Sequence, residues 1–184
     1  KGIKVSLTGA GADELFTGYY DHGLHYLCEQ KNKEIFYREL KAWKKNVYKN
    51  IRNPHFRNFN KFLKHKYYTK YIFFTNDNIK EIIKEKKYSK FSDKKFCNDA
   101  LRNRMLNELF YETIPPILNE DDQNHMYSSV ENRSPFLDSD LTELAFKIPT
   151  EFLIKNSQNK YILREAFKDL LPKNIFLNKV KKGF

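Results

Sequence analysis

The sequence is poor in cysteine and has no long apolar run. Its two cysteines, Cys28 and Cys97, lie far apart and form no CxxC pair. This excludes a disulfide-rich framework, and we expect a reduced, cytoplasmic protein. The densest apolar run, residues 71–74, is far shorter than the ~20 residues that a membrane-spanning helix needs, so we expect no membrane partner. No signal peptide precedes the first apparent strand, and this abrupt start favours a piece of a longer chain.

The sequence has fewer acidic than basic residues. Lysine and arginine number 34 against 23 aspartates and glutamates, which gives a formal net charge of +11. A polyanion is therefore a candidate partner. The excess, however, is mostly lysine spread along nearly every segment, together with abundant Asn, Ile, Tyr and Phe, which is typical of a genome-wide compositional bias. An inactive basic helical module that binds nucleic acid stays as an alternative, although nucleic acid is not the partner that we expect.

The chain is nevertheless rich enough in apolar residues to fold. At 40% hydrophobic residues in 184, it can bury the core of one globular domain. Residues Ile3–Leu7 are predicted as a short buried strand that ends in a glycine turn at residues 8–11. A helix is then predicted to begin at Ala12, with Asp13 and Glu14 in the first turn, where carboxylates favour the positive end of the helix dipole.

Helical spacing dominates the rest of the sequence. It predicts helices over residues 33–49, 78–86, 96–113, 138–146 and 160–171. We expect Pro115 and Pro116 to end the third of these, and Asp138 to cap the fourth. Residues 152–154 are predicted as a brief extended stretch. One strand cannot form a buried parallel sheet, so we expect the neighbouring strands upstream of residue 1.

The segment from Thr8 to Tyr19 reads TGAGADELFTGY. A strand that ends in glycines lets a ligand approach the backbone, at the edge where open α/β sheets bind their ligands. The carboxylates that follow would repel a phosphate unless a divalent cation lay between them. A glycine turn followed by helix-capping acids explains the same pattern without a ligand.

Three segments together resemble the class B, glutamine-hydrolysing asparagine synthase family. The first, just quoted, is similar to SGxGADELFxGY. The second, residues 114–138, is similar to LPxLLxxEDRNSMxxSxExRxPFLD. The third, residues 160–164 with Leu171-Pro172 and residues 181–184, is similar to KYLLR, LP and KKGF. Residues 22–95 carry no motif that aligns.

The resemblance implies a fold and a reaction. The expected fold is mainly α: the helical C-terminal part of an α/β ATP-pyrophosphatase (adenine nucleotide alpha hydrolase-like) domain, with one short N-terminal strand from its parallel sheet. In the reaction, a carboxylate attacks the α-phosphate of ATP to give an acyl-adenylate, and ammonia from a glutaminase domain displaces AMP. The family's SGGxDS phosphate loop and glutaminase domain are absent from residues 1–184. We therefore expect this chain to be inactive alone.

Site residues follow from the resemblance by matched position. Thr8 and Gly9 would bind the nucleotide and acyl-adenylate, and Asp13 would bind Mg²⁺. Lys160 would be catalytic, since it would stabilise charge on the α-phosphate and on the tetrahedral intermediate. Lys182, or its neighbour Lys181, would reach the pyrophosphate. The expected cofactors are thus ATP and Mg²⁺.

The central motif adds Arg133 with two alternatives. It would either contact the substrate or form a buried ion pair with Glu131 that fixes the loop beneath the site. His125 replaces a serine of the family and is a candidate substrate contact. His22 and His25, three residues apart on a predicted helix, could form a metal pair, although the sequence offers no evident third ligand.

One position departs from the family pattern in a way that bears on the substrate. Ala10 stands where the family usually has glutamate, a residue associated with the acyl-adenylate and the incoming ammonia. Alanine cannot do acid–base work or hold a charged amino acid. The carboxylate substrate is therefore either aspartate or a sugar acid. A sugar-acid substrate would make the protein an amidotransferase for a uronic-acid sugar in surface polysaccharide assembly.

Overall fold

The computed structural model describes residues 2–66, 68 and 93–178. Within these residues the chain is mainly helical, as predicted, with a two-stranded parallel sheet. Strand β1 (Val5–Leu7) pairs with β2 (Glu131–Arg133), so that Val5 lies opposite Glu131 and Leu7 opposite Arg133. The prediction of a single strand was therefore wrong. Strand β2 escaped notice because its sequence, Glu-Asn-Arg, lacks the apolar residues that mark a strand.

The helices of the described residues lie in two runs, before and after the gap at residues 69–92. They are α1 (Ala12–Phe16), α2 (Tyr20–Glu29), α3 (Phe36–Asn46), α4 (Pro54–Arg57), α5 (Phe59–Lys64), α6 (Ala100–Asn107), α7 (Ile114–Tyr127), α8 (Ser139–Lys147), α9 (Tyr161–Ala166) and α10 (Lys173–Phe176). Short 3₁₀ turns occur at Tyr48–Asn50, Pro135–Leu137 and Thr150–Phe152. None of these described helices is long and apolar enough to cross a membrane.

Helix α1 begins at Ala12, as predicted. The preceding Gly11 has φ +91°, a left-handed conformation that glycine adopts without steric cost. Its missing side chain also matters, because a Cβ at Gly11 would lie 2.3 Å from the Leu137 Cδ2 atom. The turn that ends β1 is thereby packed directly against the segment that follows β2.

Two predictions about the long central helix were wrong. It begins at Ala100, four residues later than predicted, because the Asp99 side chain accepts the Arg102 N–H and caps it there. It then continues as a π-helical turn, Glu108–Glu112. Pro115 and Pro116 do not end a helix but lie in the first turn of α7, where a missing backbone N–H breaks no intrahelical hydrogen bond.

The other helix predictions fared unevenly. The Asp138 cap is confirmed, since its side chain accepts the N–H groups of Asp140 and Leu141 at the start of α8. Helix α3 lies inside its predicted range, whereas α9 ends at Ala166, five residues early. The stretch predicted as extended begins instead within a 3₁₀ turn. The helix predicted over residues 78–86 lies outside the described residues.

Two buried clusters form the core, and α2 contributes to both. The first cluster includes Leu15, Phe16, Tyr26, Leu101, Met105, Leu109, Ile114, Ala145, Leu153 and Ile154. The second includes Leu24, Leu27, Trp43, Ile51, Phe62 and Tyr68. Helix α1 belongs to the first cluster through Leu15 and Phe16, so the motif segment after β1 is anchored by burial of its apolar face.

Candidate functional site

The carboxyl ends of the two strands place hydroxyl groups side by side. The backbone N–H of Thr8 donates to the Arg133 carbonyl oxygen at 2.9 Å, and the hydroxyls of Thr8 and Ser134 lie 3.0 Å apart. Parallel strands bring their carboxyl ends to one edge, which is where open α/β sheets bind ligands. Ser134 was missed in the sequence because the strand that it follows was missed.

Gly9 leaves its side of the turn open. Among the described residues, no atom lies within 4 Å of a Cβ placed at Gly9, and the Gly9 carbonyl accepts the Ala12 N–H at 3.3 Å. A ligand can therefore approach the backbone closely at this point. Gly9 and Thr8, both predicted as nucleotide-binding residues, thus lie together at the strand edge.

Asp13 and Lys160 form an ion pair. Asp13 lies in the first turn of α1, and Lys160 immediately precedes α9. Their side chains are 25% and 31% exposed, so both charges remain within reach of a ligand. Gly18 makes room for this arrangement, because a Cβ there would lie 2.1 Å from the Asp13 Cγ atom. The predicted metal ligand and the predicted catalytic lysine are thus brought together.

The backbone of Lys160 is held in an uncommon conformation. Its φ is +56°, and its N–H donates to the Thr17 Oγ1 atom at 3.1 Å. Thr17 itself has φ +71°, and its hydroxyl donates to the Leu153 carbonyl at 3.3 Å. Left-handed non-glycine residues cost energy and persist where the surrounding contacts enforce them, often at functional sites. Thr17 therefore fixes the point from which the lysine side chain extends.

The loop before Lys160 is tied to α3. Ser157 has φ +62° and is buried, and its N–H donates to the Glu39 Oε2 atom at 3.3 Å. The Ser157 hydroxyl also accepts a hydrogen bond from Asn46 at 3.0 Å. Helix α3 carries no family motif, yet it supports the loop that presents the lysine. Sequence reasoning gave no sign of this role.

Arg133 and Glu131 form an exposed ion pair on β2. The Arg133 Nε atom lies 2.8 Å from the Glu131 Oε1 atom, and the two side chains are 59% and 57% exposed. The hydrogen bond and charge of Arg133 lower the pKa of the Glu131 carboxyl. The alternative of a buried pair was wrong, because residues two apart in a strand share one face and this face is open. A substrate contact by Arg133 stays a prediction.

Lys181, Lys182 and His125 complete the set of predicted site residues. Lys181 and Lys182 lie outside the described residues. The His125 Nδ1 atom lies 2.7 Å from the Asp121 carbonyl oxygen of its own helix, so this side of its ring faces α7. A substrate contact by the rest of its ring stays a prediction.

His22 has a different neighbour from the one that the spacing suggested. Asp21, His22 and Glu108 place potential ligand atoms within 4.8 Å of one another, and the histidine in this buried group is joined by carboxylates, not by His25. Arg104 lies 3.0 Å from both Asp21 and Glu108, so a guanidinium already supplies positive charge between these carboxylates. Burial raises the pKa of Glu108 to about 7, against the opposing effects of His22 and Arg104. We therefore do not assign a metal here.

Comparison with known proteins decides the family. The family model described as Asparagine synthase matches residues 1–184. The chain belongs to the asparagine synthase family.

Two curated proteins of Bacillus subtilis (strain 168) are similar to parts of this asparagine synthase family member. Asparagine synthetase [glutamine-hydrolyzing] 1 is 43% identical over 68 residues, which are 37% of this chain and 11% of that protein. Asparagine synthetase [glutamine-hydrolyzing] 3 is 36% identical over 74 residues, 40% of this chain and 12% of that protein. The matched segments therefore span about a tenth of each relative. No solved structure gives a significant match.

One residue next to the strand edge, Asp13 on α1, has the chemistry that the Mg²⁺ ion implied by the family would need. Magnesium takes oxygen ligands and is commonly held by one or two carboxylates together with substrate phosphates and water. The Asp13 carboxylate is partly exposed and lies next to a cation, Lys160, which an anionic ligand would also contact. Asp13 is therefore suited to hold Mg²⁺ in the presence of a phosphate-bearing substrate.

Proposed function

We propose that this chain forms part of a site that activates a carboxylate with ATP and converts it to an amide. The observation that carries the proposal is the Asp13–Lys160 ion pair, in which Asp13 lies on α1, the helix that follows Thr8 and Gly9, and Lys160 immediately precedes α9. A carboxylate and a lysine beside an open backbone turn supply what a metal-bound nucleotide requires. The family membership of the whole chain supports the same reaction class.

Each residue has a stated role in this proposal. Thr8 and Gly9 would contact the nucleotide through a hydroxyl and an open backbone. Asp13 would hold Mg²⁺, which when bound offsets the negative charge of the pyrophosphate. Lys160 would stabilise the charge that develops on the α-phosphate, and Lys182 would contact the departing pyrophosphate. Cations that are already in place when charge develops cost little reorganisation, and this makes their stabilisation large.

The proposed reaction has two steps. An oxygen of the substrate carboxylate bonds to the α-phosphorus of ATP, while the bond from that phosphorus to pyrophosphate breaks. Ammonia, derived from glutamine, then bonds to the acyl carbon, the bond from that carbon to the oxygen of AMP breaks, and the nitrogen releases one proton to water. Before ATP binds, Asp13 balances the charge of Lys160. An anionic substrate would compete for Lys160, so the lysine would turn from Asp13 toward the α-phosphate as the nucleotide binds.

Two carboxylates are candidates for the substrate, and Ala10 distinguishes them. Its side chain packs against the first core cluster and offers no charge to a substrate ammonium group. A sugar acid, unlike aspartate, carries no ammonium group. Ala10 therefore favours a sugar carboxylate over aspartate, although aspartate stays a candidate. If the substrate is a sugar acid, Ala10→Glu should shift the substrate preference toward aspartate.

Under this proposal residues 1–184 are the C-terminal part of a synthetase domain. The exposed side chains of β1 support it, since Val5 is 40% and Leu7 71% exposed although parallel sheets are normally covered on both faces. The phosphate loop and the glutaminase domain would lie in other parts of the same protein. The 184-residue chain by itself should then show no synthetase activity.

The test is ATP–pyrophosphate exchange with Mg²⁺, in separate reactions with aspartate and with a uronic-acid sugar. The longer protein should catalyse exchange with one of them, and Lys160→Met should reduce the rate at least about 100-fold. The 184-residue chain should catalyse none. No exchange by the longer protein with any carboxylate would overturn the proposal. Nucleic-acid binding that weakens steeply with salt would then favour the basic binding module.

A further inference from the structure

The turn between α1 and α2, residues 17–19, touches both members of the Asp13–Lys160 pair. Thr17 accepts the backbone N–H of Lys160 at 3.1 Å. Gly18 lies so close beneath Asp13 that a Cβ there would fall 2.1 Å from the Asp13 Cγ atom. The position of this turn therefore decides where the aspartate side chain rests and where the lysine side chain begins.

A buried hydrogen-bond chain holds the same turn from its other side. The Gly18 N–H donates to the His22 Nδ1 atom at 3.1 Å, and the His22 Nε2 atom lies 2.6 Å from the Glu108 Oε2 atom. The other oxygen of Glu108 lies 3.0 Å from the Arg104 Nη2 atom. His22, Glu108 and Arg104 are 0%, 1% and 4% exposed. This series of hydrogen bonds thus runs from the turn to α6 and the π-helical turn with almost no exposure to solvent.

The direction of these hydrogen bonds fixes the state of the histidine. Because Nδ1 accepts the Gly18 amide, the ring carries its proton on Nε2 and donates it to Glu108. A carboxylate partner selects this tautomer, as second partners of functional histidines commonly do. A buried carboxylate needs hydrogen-bond donors to offset the cost of its removal from water. Its specific contribution here is to hold an acceptor against one backbone amide.

We propose that His22 and Glu108 are positioning residues that hold the α1–α2 turn through the Gly18 amide and thereby place Asp13 and Lys160 for the reaction. Glu108 orients the imidazole, the imidazole anchors Gly18, and the turn sets the ion pair. The catalytic meaning of this arrangement rests on the proposed function. The structural coupling from His22 to Asp13 and Lys160 does not.

Two substitutions of His22 distinguish its hydrogen bond with Gly18 from its hydrogen bond with Glu108. In His22→Asn the side-chain oxygen lies near the former Nδ1 position, so an acceptor for the Gly18 amide is kept. In His22→Gln the amide lies near the former Nε2 position, so the contact with Glu108 is kept and the acceptor is lost. In the longer protein, His22→Gln should lower kcat at least about 10-fold, because small misplacements of catalytic groups are costly. His22→Asn should lower it less.

His25 offers a matched control. It is 1% exposed, lies on the same helix, and packs edge-on against Phe62 at 5.3 Å between ring centroids, on the side of the second core cluster. His25→Gln removes an equally buried imidazole and should destabilise the fold without changing kcat. An equal loss of kcat in His25→Gln and His22→Gln would overturn the proposal, since general destabilisation would then explain both.

A readout independent of activity uses NMR on the same variants. The ¹⁵N shifts of His22 should report the tautomer protonated on Nε2. The Asp13 carboxyl ¹³C and Lys160 Nζ ¹⁵N signals should move in His22→Gln and stay in place in His25→Gln. Unmoved Asp13 and Lys160 signals in His22→Gln would overturn the positioning role even if activity fell. If the Asp13 and Lys160 signals move in His22→Gln but the longer protein shows no exchange activity, the positioning role is supported and the proposed function is refuted.

Glu108 provides a rescue in case the His22 variants fold poorly. Glu108→Gln keeps a carbonyl oxygen that can accept the His22 Nε2–H, whereas Glu108→Ala keeps nothing. We expect Glu108→Ala to shift the Asp13 and Lys160 signals and to lower kcat. In Glu108→Gln the signal positions and kcat should stay close to those of the wild type. Equal effects of the two substitutions would contradict the proposal.

Discussion

Asp13 and Lys160, from opposite ends of the described chain, meet in one ion pair. An ion pair that is partly exposed to water contributes little to stability, typically less than about 1 kcal/mol. Its consequence is geometric, since it joins the first turn of α1 to the residue that precedes α9.

Gly18→Ala should displace Asp13. The new Cβ would lie 2.1 Å from the Asp13 Cγ atom, a separation that forces one of them to move. We expect the rate of ATP–pyrophosphate exchange by the longer protein to fall by at least about 10-fold, because the carboxylate would leave its place beside Lys160. Steady-state exchange kinetics would measure the loss.

Gly23→Ala is the matched control. A Cβ at Gly23 would lie 3.5 Å from the Trp43 Cδ1 atom, an ordinary contact. Because Gly23 lies inside α2, alanine should raise the free energy of unfolding by up to about 1 kcal/mol and leave exchange unchanged. If both alanine variants lost activity alike, the specific role of Gly18 would be refuted.

Asp138 should stabilise α8 through its cap. Asp138→Ala leaves the N–H groups of Asp140 and Leu141 without their acceptor and should lower the free energy of unfolding by about 1 kcal/mol. Asp138→Asn should recover most of this loss, because asparagine also caps helices well. Urea denaturation of the three proteins would measure the difference, and an equal loss in both variants would contradict the capping role.

Stability should fall in mild acid because of His25. Burial lowers the pKa of this imidazole to about 4 from 6.5, so the unfolded chain takes up a proton that the folded chain does not. The contribution of neutral His25 is present above pH 6.5 and is lost as the pH falls toward 4. Relative to His25→Asn, the wild type should lose about 3 kcal/mol over this range. Urea unfolding at several pH values would measure it.

Comparing the wild type with His25→Asn removes the contribution of Glu108 to the pH dependence of stability. Burial raises the pKa of Glu108, so this carboxyl works in the opposite direction and favours the fold at low pH. Since Glu108 is present in both proteins, the difference between them isolates His25. Parallel stability curves for wild type and His25→Asn would show that this histidine is not buried in its neutral form.

The two cysteines should be poor nucleophiles. Burial raises the pKa of Cys28 to about 12, and burial also raises the pKa of Cys97. At pH 8 the alkylation of Cys28 by iodoacetamide should be on the order of 1,000-fold slower than in the unfolded chain, because only the thiolate reacts. Mass spectrometry of time points in native buffer and in urea would measure both rates. Equal rates in the two conditions would refute this prediction.

Local signals were sufficient where a structure depends on neighbouring residues. The start of α1 at Ala12 follows from a glycine turn and first-turn carboxylates, and the cap by Asp138 from a side chain that reaches its own helix. The same local reasoning failed at Pro115 and Pro116. A proline that cannot continue a helix is equally suited to its first turn, and the sequence does not distinguish these cases.

Strand β2 and the contacts of His22 were not predictable in this way. Glu131–Arg133 forms a strand because β1 offers its backbone edge, not because of any apolar pattern of its own. The spacing of His22 and His25 suggested that the two side chains form a pair. A histidine on a helix can equally contact a residue that is distant in the sequence. Glu108, far along the chain, is the actual partner of His22.

The sequence by itself determined the family and the helical character, because motifs and helical periods are written in consecutive residues. From the same motifs it predicted Thr8, Gly9, Asp13 and Lys160 as site residues. Only the tertiary structure decided that Asp13 meets Lys160, that Ser134 joins Thr8, and that a buried histidine lies beneath them. The first two contacts join segments far apart in the chain. They form because the first core cluster packs apolar side chains of α1 against those that follow Ser134 and those that flank Lys160, which are Phe136, Leu137, Leu153, Ile154 and Ile162.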